Sequence, residues 1–263
     1  MKVHQIYTNS PLRNFTYVIE GSQGHCYVID PFDGKACLDY IAQLGGFVRG
    51  IINTHEHDDH ICGNDIIVSK TDCVVYAHPN AAAKNKHANT FLNENDAIEI
   101  DDSSFLKVID TPGHTFAHLC FLLFENDKNC AVFTGDTLFN AGIGHCRFGG
   151  DIGTYFDTME NKFKVLADDV TVYPGHDYLE NNLNFTLSVE PSNEAAKVML
   201  EFASSINWEV MSYQNTMGQE RSVNSFLRLD NEEIANSLNI KGTNGLAKRK
   251  EVFIKLRQLR DKW

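Results

Sequence analysis

Short apolar runs separated by turn residues fill the first half of the chain. Val3 to Thr8, Phe15 to Glu20 and Cys26 to Asp30 are β-branched or aromatic stretches broken by Asn14, Gly21 and Gly24, and they read as strands. The period changes over Asp33 to Leu44, where Cys37, Tyr40, Ile41 and Leu44 recur at helical spacing and Gly45 ends the run. Val48 to Asn53 is the next strand, followed by Val74 to Ala77, Phe105 to Asp110, His118 to Phe124 and Ala131 to Thr134. Thr154 to Leu166 is helical through Phe156, Met159, Phe163 and Leu166; Thr171 to Tyr173 is a last short strand, closed by Pro174-Gly175. Beyond residue 177 the pattern is almost all helical. Ser192 is the expected N-cap of a helix with Ala195, Met199, Phe202 and Ile206 on one stripe, and the last segment aligns Val252, Leu256, Leu259 and Trp263. The pattern predicts an α/β body over 1–177 and a small helical domain over 178–263.

Composition narrows the class. At 263 residues and 43% hydrophobic content, the chain can bury a sizeable core. No apolar run approaches the ~18 residues of a membrane helix, and Met1 to Ser10 lacks the basic-then-apolar layout of a secretory signal. Seven scattered cysteines without a C-x-x-C pair suit a reduced chain, so a cytoplasmic protein is expected, with a monomer favoured. The formal net charge of −12 argues against nucleic-acid binding. Residues 244–263 nevertheless hold seven of the 23 basic and only two of the 35 acidic side chains, a cationic end suited to an anionic ligand.

The chemistry concentrates in Thr54-His55-Glu56-His57-Asp58-Asp59-His60, directly after a strand. Imidazole and carboxylate suit zinc and its neighbours. So many ligands in so short a stretch suggest sharing between two adjacent metals rather than one closed tetrahedral site. On an extended segment His55 and His57 share a side, and Asp59 and His60 follow where the chain turns. A metalloprotease HExxH helix does not fit, because the fourth residue after His55 is Asp59. His114, Asp136 and His176 each follow Gly at a strand end, in Thr-Pro-Gly-His, Thr-Gly-Asp and Tyr-Pro-Gly-His. The seven donors suit two divalent metals, with Asp136 bridging. His118 is read as a support to its neighbours, not a ligand.

These elements, in this order, resemble the metallo-β-lactamase superfamily of dinuclear hydrolases. The resemblance implies an αββα sandwich, one metal on His55, His57 and His114, and a second on Asp59, His60 and His176, with Asp136 shared. Zinc is expected, and iron or manganese accept the same ligands. Tyr173-Pro174-Gly175-His176-Asp177-Tyr178-Leu179-Glu180-Asn181-Asn182, Asn224-Ser225-Phe226-Leu227-Arg228 and the terminal Leu256 to Trp263 are similar to stretches of the glyoxalase II (hydroxyacylglutathione hydrolase) family. That likeness implies that Arg257 and Arg260 hold the glycine carboxylate of glutathione and that Tyr178 contacts the same carrier. The segment Gly142 to Asp151 departs from the family's compact glutathione-touching stretch, with Arg147 as its replacement basic contact.

The expected activity is hydrolysis of an acylated glutathione, such as S-D-lactoylglutathione, by attack of a metal-activated hydroxide on the thioester, with Asp59 orienting the nucleophile. A one-iron persulfide dioxygenase and a superfamily nuclease are the rivals. The carboxylate handle at the C-terminus and the full second ligand set disfavour the first, and the acidic body disfavours the second.

Overall fold

The computed structural model describes residues 1–208, 211–242 and 244–263, and these form two compact units. The first takes in Met1–Thr111, Ala117–Asp136 and Tyr173–Asp177. Its N-terminal runs build a six-stranded sheet in chain order: β1 (Lys2–Tyr7), β2 (Phe15–Glu20), β3 (His25–Ile29), β4 (Phe47–Ile52), β5 (Val74–Ala77) and β6 (Thr90–Phe91). β1, β2 and β3 are antiparallel, whereas β3 to β6 are parallel. A parallel neighbour requires a crossover, and α1 (Gly34–Gln43) supplies it between β3 and β4. Between β4 and β5 the chain forms the single turn α2 (Asp58–Ile61) and then α3 (Asn64–Thr71). α1 and α3 bury Cys37, Ile41 and Ile67 against Val18, Val28, Ile51 and Val75 of the sheet.

The parallel pairing matters for the site. It brings the carboxyl ends of β3 and β4 side by side, so the Asp30 amide donates to Ile52 O at 3.1 Å and the Thr54 amide donates to Asp30 Oδ1 at 2.8 Å. The second sheet has the order β11-β10-β9-β8-β7, from β7 (Ala97–Asp101), β8 (Ser104–Asp110), β9 (Leu119–Glu125), β10 (Lys128–Gly135) and β11 (Thr171–Pro174). Tyr17 joins the sheets: its ring lies 5.3 Å from Phe133 and 5.2 Å from Tyr173, and its hydroxyl donates to Pro174 O at 2.6 Å.

The second unit takes in Pro112–Phe116, Thr137–Val172 and Tyr178–Trp263. Residues 137–172 thus group with the helices, although the sequence pattern assigned them to the α/β body. The reason is aromatic packing: Phe156 of α4 (Ile152–Thr158) and Phe226 sit 5.6 Å and 5.5 Å from Phe253 of the last helix. α4 runs on into a π-helical turn, Met159–Phe163. The remaining helices are α5 (Leu179–Val189), α6 (Glu194–Ala203), α7 (Met217–Val223), α8 (Glu232–Ser237) and α9 (Gly245–Arg260).

Two helical expectations change. The N-cap of α6 is Asn193, whose side chain accepts from the Ala196 amide at 2.9 Å, while the Ser192 hydroxyl bonds Glu233 instead. The inward stripe of α6 is accordingly Ala196, Met199, Leu200 and Ala203, with Ala195 and Phe202 exposed. In α9 the buried set is Val252, Phe253, Leu256 and Arg257; Leu259 and Trp263 are exposed. A reading by side-chain polarity places Arg257 outside, but its charge is paired and hydrogen-bonded, which permits burial. Among the described residues no helix is long and apolar enough to cross a membrane.

Candidate metal centre

The chain leaves β4 in a bend over Thr54 and His55, then coils once as α2 with His57 as the preceding residue, and this turn aims Asp59 and His60 inward. Asp59 Oδ2 lies 3.4 Å from both His60 Nε2 and His176 Nε2, and those two nitrogens are 3.2 Å apart. Asp136 Oδ1 lies 3.3 Å from the first nitrogen and 3.2 Å from the second. Electron-pair donors spaced in this way surround a point about 2 Å from each, which matches zinc–nitrogen and zinc–oxygen bond lengths.

Hydrogen bonding behind the site fixes which nitrogen faces it. His60 Nδ1 is 2.9 Å from Asp30 Oδ2, and His176 Nδ1 is 2.8 Å from Leu12 O. Both acceptors require a proton on Nδ1, so the two Nε2 lone pairs face each other and two carboxylate oxygens. Such an arrangement demands positive charge at its centre. The same field acts on His60 itself. Burial opposes its protonation, yet the Asp136 and Asp30 carboxylates prevail and hold its pKa well above the ordinary histidine value.

A second set adjoins this one. His55 Nε2 and His57 Nδ1 are 3.0 Å apart. Thr54 Oγ1 donates to Asp30 Oδ2 at 2.6 Å and so accepts from His55 Nδ1 at 3.0 Å, which turns His55 Nε2 toward the site. His55, His57, His114 and Asp136 offer donor atoms within 4.8 Å of one another, and Asp136 Oδ1 also lies 3.3 Å and 3.2 Å from His60 and His176 Nε2. His114 is oriented in turn by His145 O, 2.6 Å from its Nδ1. His118 packs in a stack 4.9 Å from His55, and its Nε2 accepts from the Asp136 amide at 3.2 Å. That is a supporting position, as the sequence reading expects.

Glycine sits before Asp136 and His176 for steric reasons as well as for turning. A Cβ on Gly135 would lie 2.5 Å from Thr54 Oγ1, and one on Gly175 would lie 2.6 Å from Asp136 Oδ1 and 2.9 Å from His60 Cε1. Two supporting residues escape the motif reading. Asp30, 3% exposed, links His60 to the Thr54 hydroxyl and amide. Asn14 donates from Nδ2 to Asp59 Oδ2 at 2.8 Å and bridges in the backbone to His176. The signal for Asp30 is its place at the end of β3 before Pro31, beside the motif strand in a parallel pair. Asn14 gives no such signal, since it resembles any turn former.

Of the expected substrate contacts, Tyr178 packs its ring edge-on 5.2 Å from Phe139, and Arg260 donates to Asn182 Oδ1 at 3.3 Å. Arg147 is half-exposed and bonds Asp261 O. Arg257 differs: it is 7% exposed and its guanidinium bonds Ile143 O, Gly144 O and Asp261.

Two family models match the chain. Residues 10–176 match the family model of the metallo-β-lactamase superfamily, and residues 177–263 match that of the hydroxyacylglutathione hydrolase C-terminus. The hydroxyacylglutathione hydrolase of Nitrosococcus oceani is 39% identical over 266 residues and that of a Polaromonas species 36%, each pairing covering 100% of both chains. The crystal structure of ETHE1 from Myxococcus xanthus superposes with a TM-score of 0.67 at 22% identity, covering 98% of this chain and 99% of the other.

Proposed function

Since this chain belongs to the hydroxyacylglutathione hydrolases of the metallo-β-lactamase superfamily, a hydrolase family, we propose that it cleaves S-acylglutathione thioesters such as S-D-lactoylglutathione to a hydroxy acid and glutathione. The observation that carries this reading is the cage formed by Asp59, His60, Asp136 and His176, whose donor atoms are 3.2 to 3.4 Å apart. His55, His57 and His114 would hold one divalent ion and Asp59, His60 and His176 a second, with Asp136 available to both; zinc suits this donor set, as do iron and manganese. Divalent ions held there would supply an activated water and a Lewis acid for the thioester carbonyl. Asp59, steadied by Asn14, orients the attacking water. Water oxygen adds to the carbonyl carbon, the carbon–sulfur bond breaks, and the thiol leaves as thiolate, which needs no strong acid.

Residues 1–177 would supply the catalytic groups and 178–263 the substrate-binding domain, with Arg147, Tyr178, Arg257 and Arg260 as the substrate contacts. A cytoplasmic monomer acting on small anionic thioesters, without nucleic acid or membrane, completes the reading. The test is hydrolysis of S-D-lactoylglutathione beside a panel of other thioesters, with metal content measured on the same sample. Two ions per chain and a preference for the glutathione ester are expected. Full metal loading without thioester cleavage, together with oxygen uptake on glutathione persulfide, overturns the reading.

A further inference from the structure

We propose that Asn53, Asn64 and Asn85 form a buried amide network that positions His60, a candidate metal ligand, through its backbone carbonyl; the inference rests on the metal-dependent reading above. The three side chains come from separate places in the first unit. Asn53 follows β4, Asn64 opens α3, and Asn85 lies in the loop between β5 and β6. They are 1%, 0% and 2% exposed. Asn53 Nδ2 donates to His60 O at 3.0 Å, while Asn53 Oδ1 accepts from Asn64 Nδ2 at 2.8 Å and from Asn85 Nδ2 at 2.9 Å. Asn64 Nδ2 also reaches Asn85 Oδ1 at 3.2 Å, which closes the triangle.

The direction of these bonds follows from the carbonyl. His60 O can only accept, so Asn53 must turn its NH2 group toward it. The oxygen of Asn53 then faces the other way, and Asn64 and Asn85 must each present an NH2 group to that oxygen. A set of donors with one sense thus ends on the peptide of a proposed ligand. Buried amides without partners are costly, and a fully connected set favours a single arrangement.

His60 needs such a hold because α2 is a single turn. So short a helix satisfies few of its own carbonyls. Asp59 O accepts from Asn14 Nδ2 at 3.3 Å, and His60 O accepts from Asn53. Asn53 is itself fixed, its amide donating to Tyr76 O of β5 at 2.9 Å. On the far side the Gly63 amide donates to Pro31 O at 2.8 Å, and a Cβ on Gly63 would lie 2.5 Å from that oxygen, so the turn is packed against the end of β3. Asp30 sets the His60 imidazole through Nδ1, whereas the amide network sets the peptide from which that imidazole projects.

Groups that orient metal ligands from behind typically change metal affinity by about 10- to 100-fold when lost. The experiment compares wild type, Asn53→Leu, Asn85→Leu and, as a packing control, Ile67→Ala, a buried core position on α3. Zinc affinity of the substrate-free protein is measured by chelator competition, and the unfolding midpoint of the zinc-free protein by urea titration. Asn53→Leu is expected to weaken one zinc ion by about 10-fold or more, and Asn85→Leu to weaken the same ion by a smaller factor. Ile67→Ala should lower the urea midpoint and leave zinc affinity alone. Wild-type zinc affinity in either asparagine variant overturns the inference. So does an equal loss of affinity in Ile67→Ala, because the effect is then one of packing and not of the amide network. Should Asn53→Leu fail to fold, Asn85→Leu decides alone: unchanged zinc binding overturns the inference. A wild-type chain that binds no zinc overturns the underlying reading instead, and that result appears before any variant is made.

Discussion

Asp30 Oδ2 lies 2.9 Å from His60 Nδ1, so a carboxylate at the end of β3 decides which face of a histidine on α2 looks into the site. The same side chain accepts the Thr54 amide and hydroxyl at 2.8 Å and 2.6 Å. Asp30→Ala removes both acceptor oxygens, and with them three hydrogen bonds, from a buried position. Each stranded donor costs about 1–3 kcal/mol, and the freed imidazole loses its fixed tautomer. The expected outcome is a zinc affinity lower by about 10- to 100-fold and a clear drop in unfolding midpoint, measured by chelator competition and urea titration. Asp30→Asn should lower zinc affinity less, because Asn tolerates the left-handed backbone there (φ +49°) and keeps an acceptor oxygen. Equal zinc affinity in wild type and Asp30→Ala would contradict the argument.

Gly175 tests the steric side of the same site. A methyl group there would come within 2.6 Å of Asp136 Oδ1 and 2.9 Å of His60 Cε1, closer than real Cβ contacts allow. Gly175→Ala must therefore move one of the groups proposed as ligands. At least tenfold weaker zinc binding is expected, with a stability loss on the order of 1–3 kcal/mol for overpacking. Far-ultraviolet circular dichroism should stay native while zinc titration shifts.

Chelation should affect the fold as well as the activity. Asp59, His60, Asp136 and His176 converge their donor atoms on one point, so an ion bound there stabilises the native state. By mass action, free zinc at 100 times its dissociation constant contributes about 2.7 kcal/mol. For a chain of this length that corresponds to a Tm rise of about 5–10 °C. Calorimetry of chelated and reloaded protein checks it, and a Tm indifferent to zinc would rule out a stabilising ion.

Most strands were legible as short apolar runs, and the seven candidate donors stand out by local rules: four crowd into residues 55–60 and three follow glycine at strand ends. Asp30 and Asn14 were not, since their importance comes from which strands lie side by side, and a pairing between β3 and β4 leaves no mark at either residue alone. α3 was missed because it buries only Asn64 and Ile67, too few positions for a stripe. The burial of Arg257 was not legible for a related reason: it depends on the carbonyls of residues more than a hundred positions earlier. The α6 stripe was misread by one residue because Ser192 and Asn193 are both good caps, and only the packing of Ala196 against Leu183 and Val223 distinguishes them.

Glu220 gives the pH dependence. It is fully buried in the second unit, accepting from the Ala141 amide at 2.9 Å, from Asn215 Nδ2 at 2.5 Å and from Asn224 Nδ2 at 2.9 Å. Burial outweighs those three donors and pushes its pKa up to about 7. The unfolded chain releases this proton near pH 4.5, so between about 4.5 and 7 the native state holds one proton that the unfolded state has lost. Stability therefore falls as pH rises through that window, and this contribution is flat below and above it. Two to three pH units correspond to about 3 kcal/mol for a single site. Glu220→Gln cannot titrate, so its stability curve should lack this slope whatever its absolute value. The amide nitrogen of Gln would face donors from Asn215, Asn224 or Ala141, so a lower overall stability is also expected. Urea unfolding from pH 4 to pH 8 on both proteins separates slope from offset, and parallel curves would show that Glu220 does not titrate in this range.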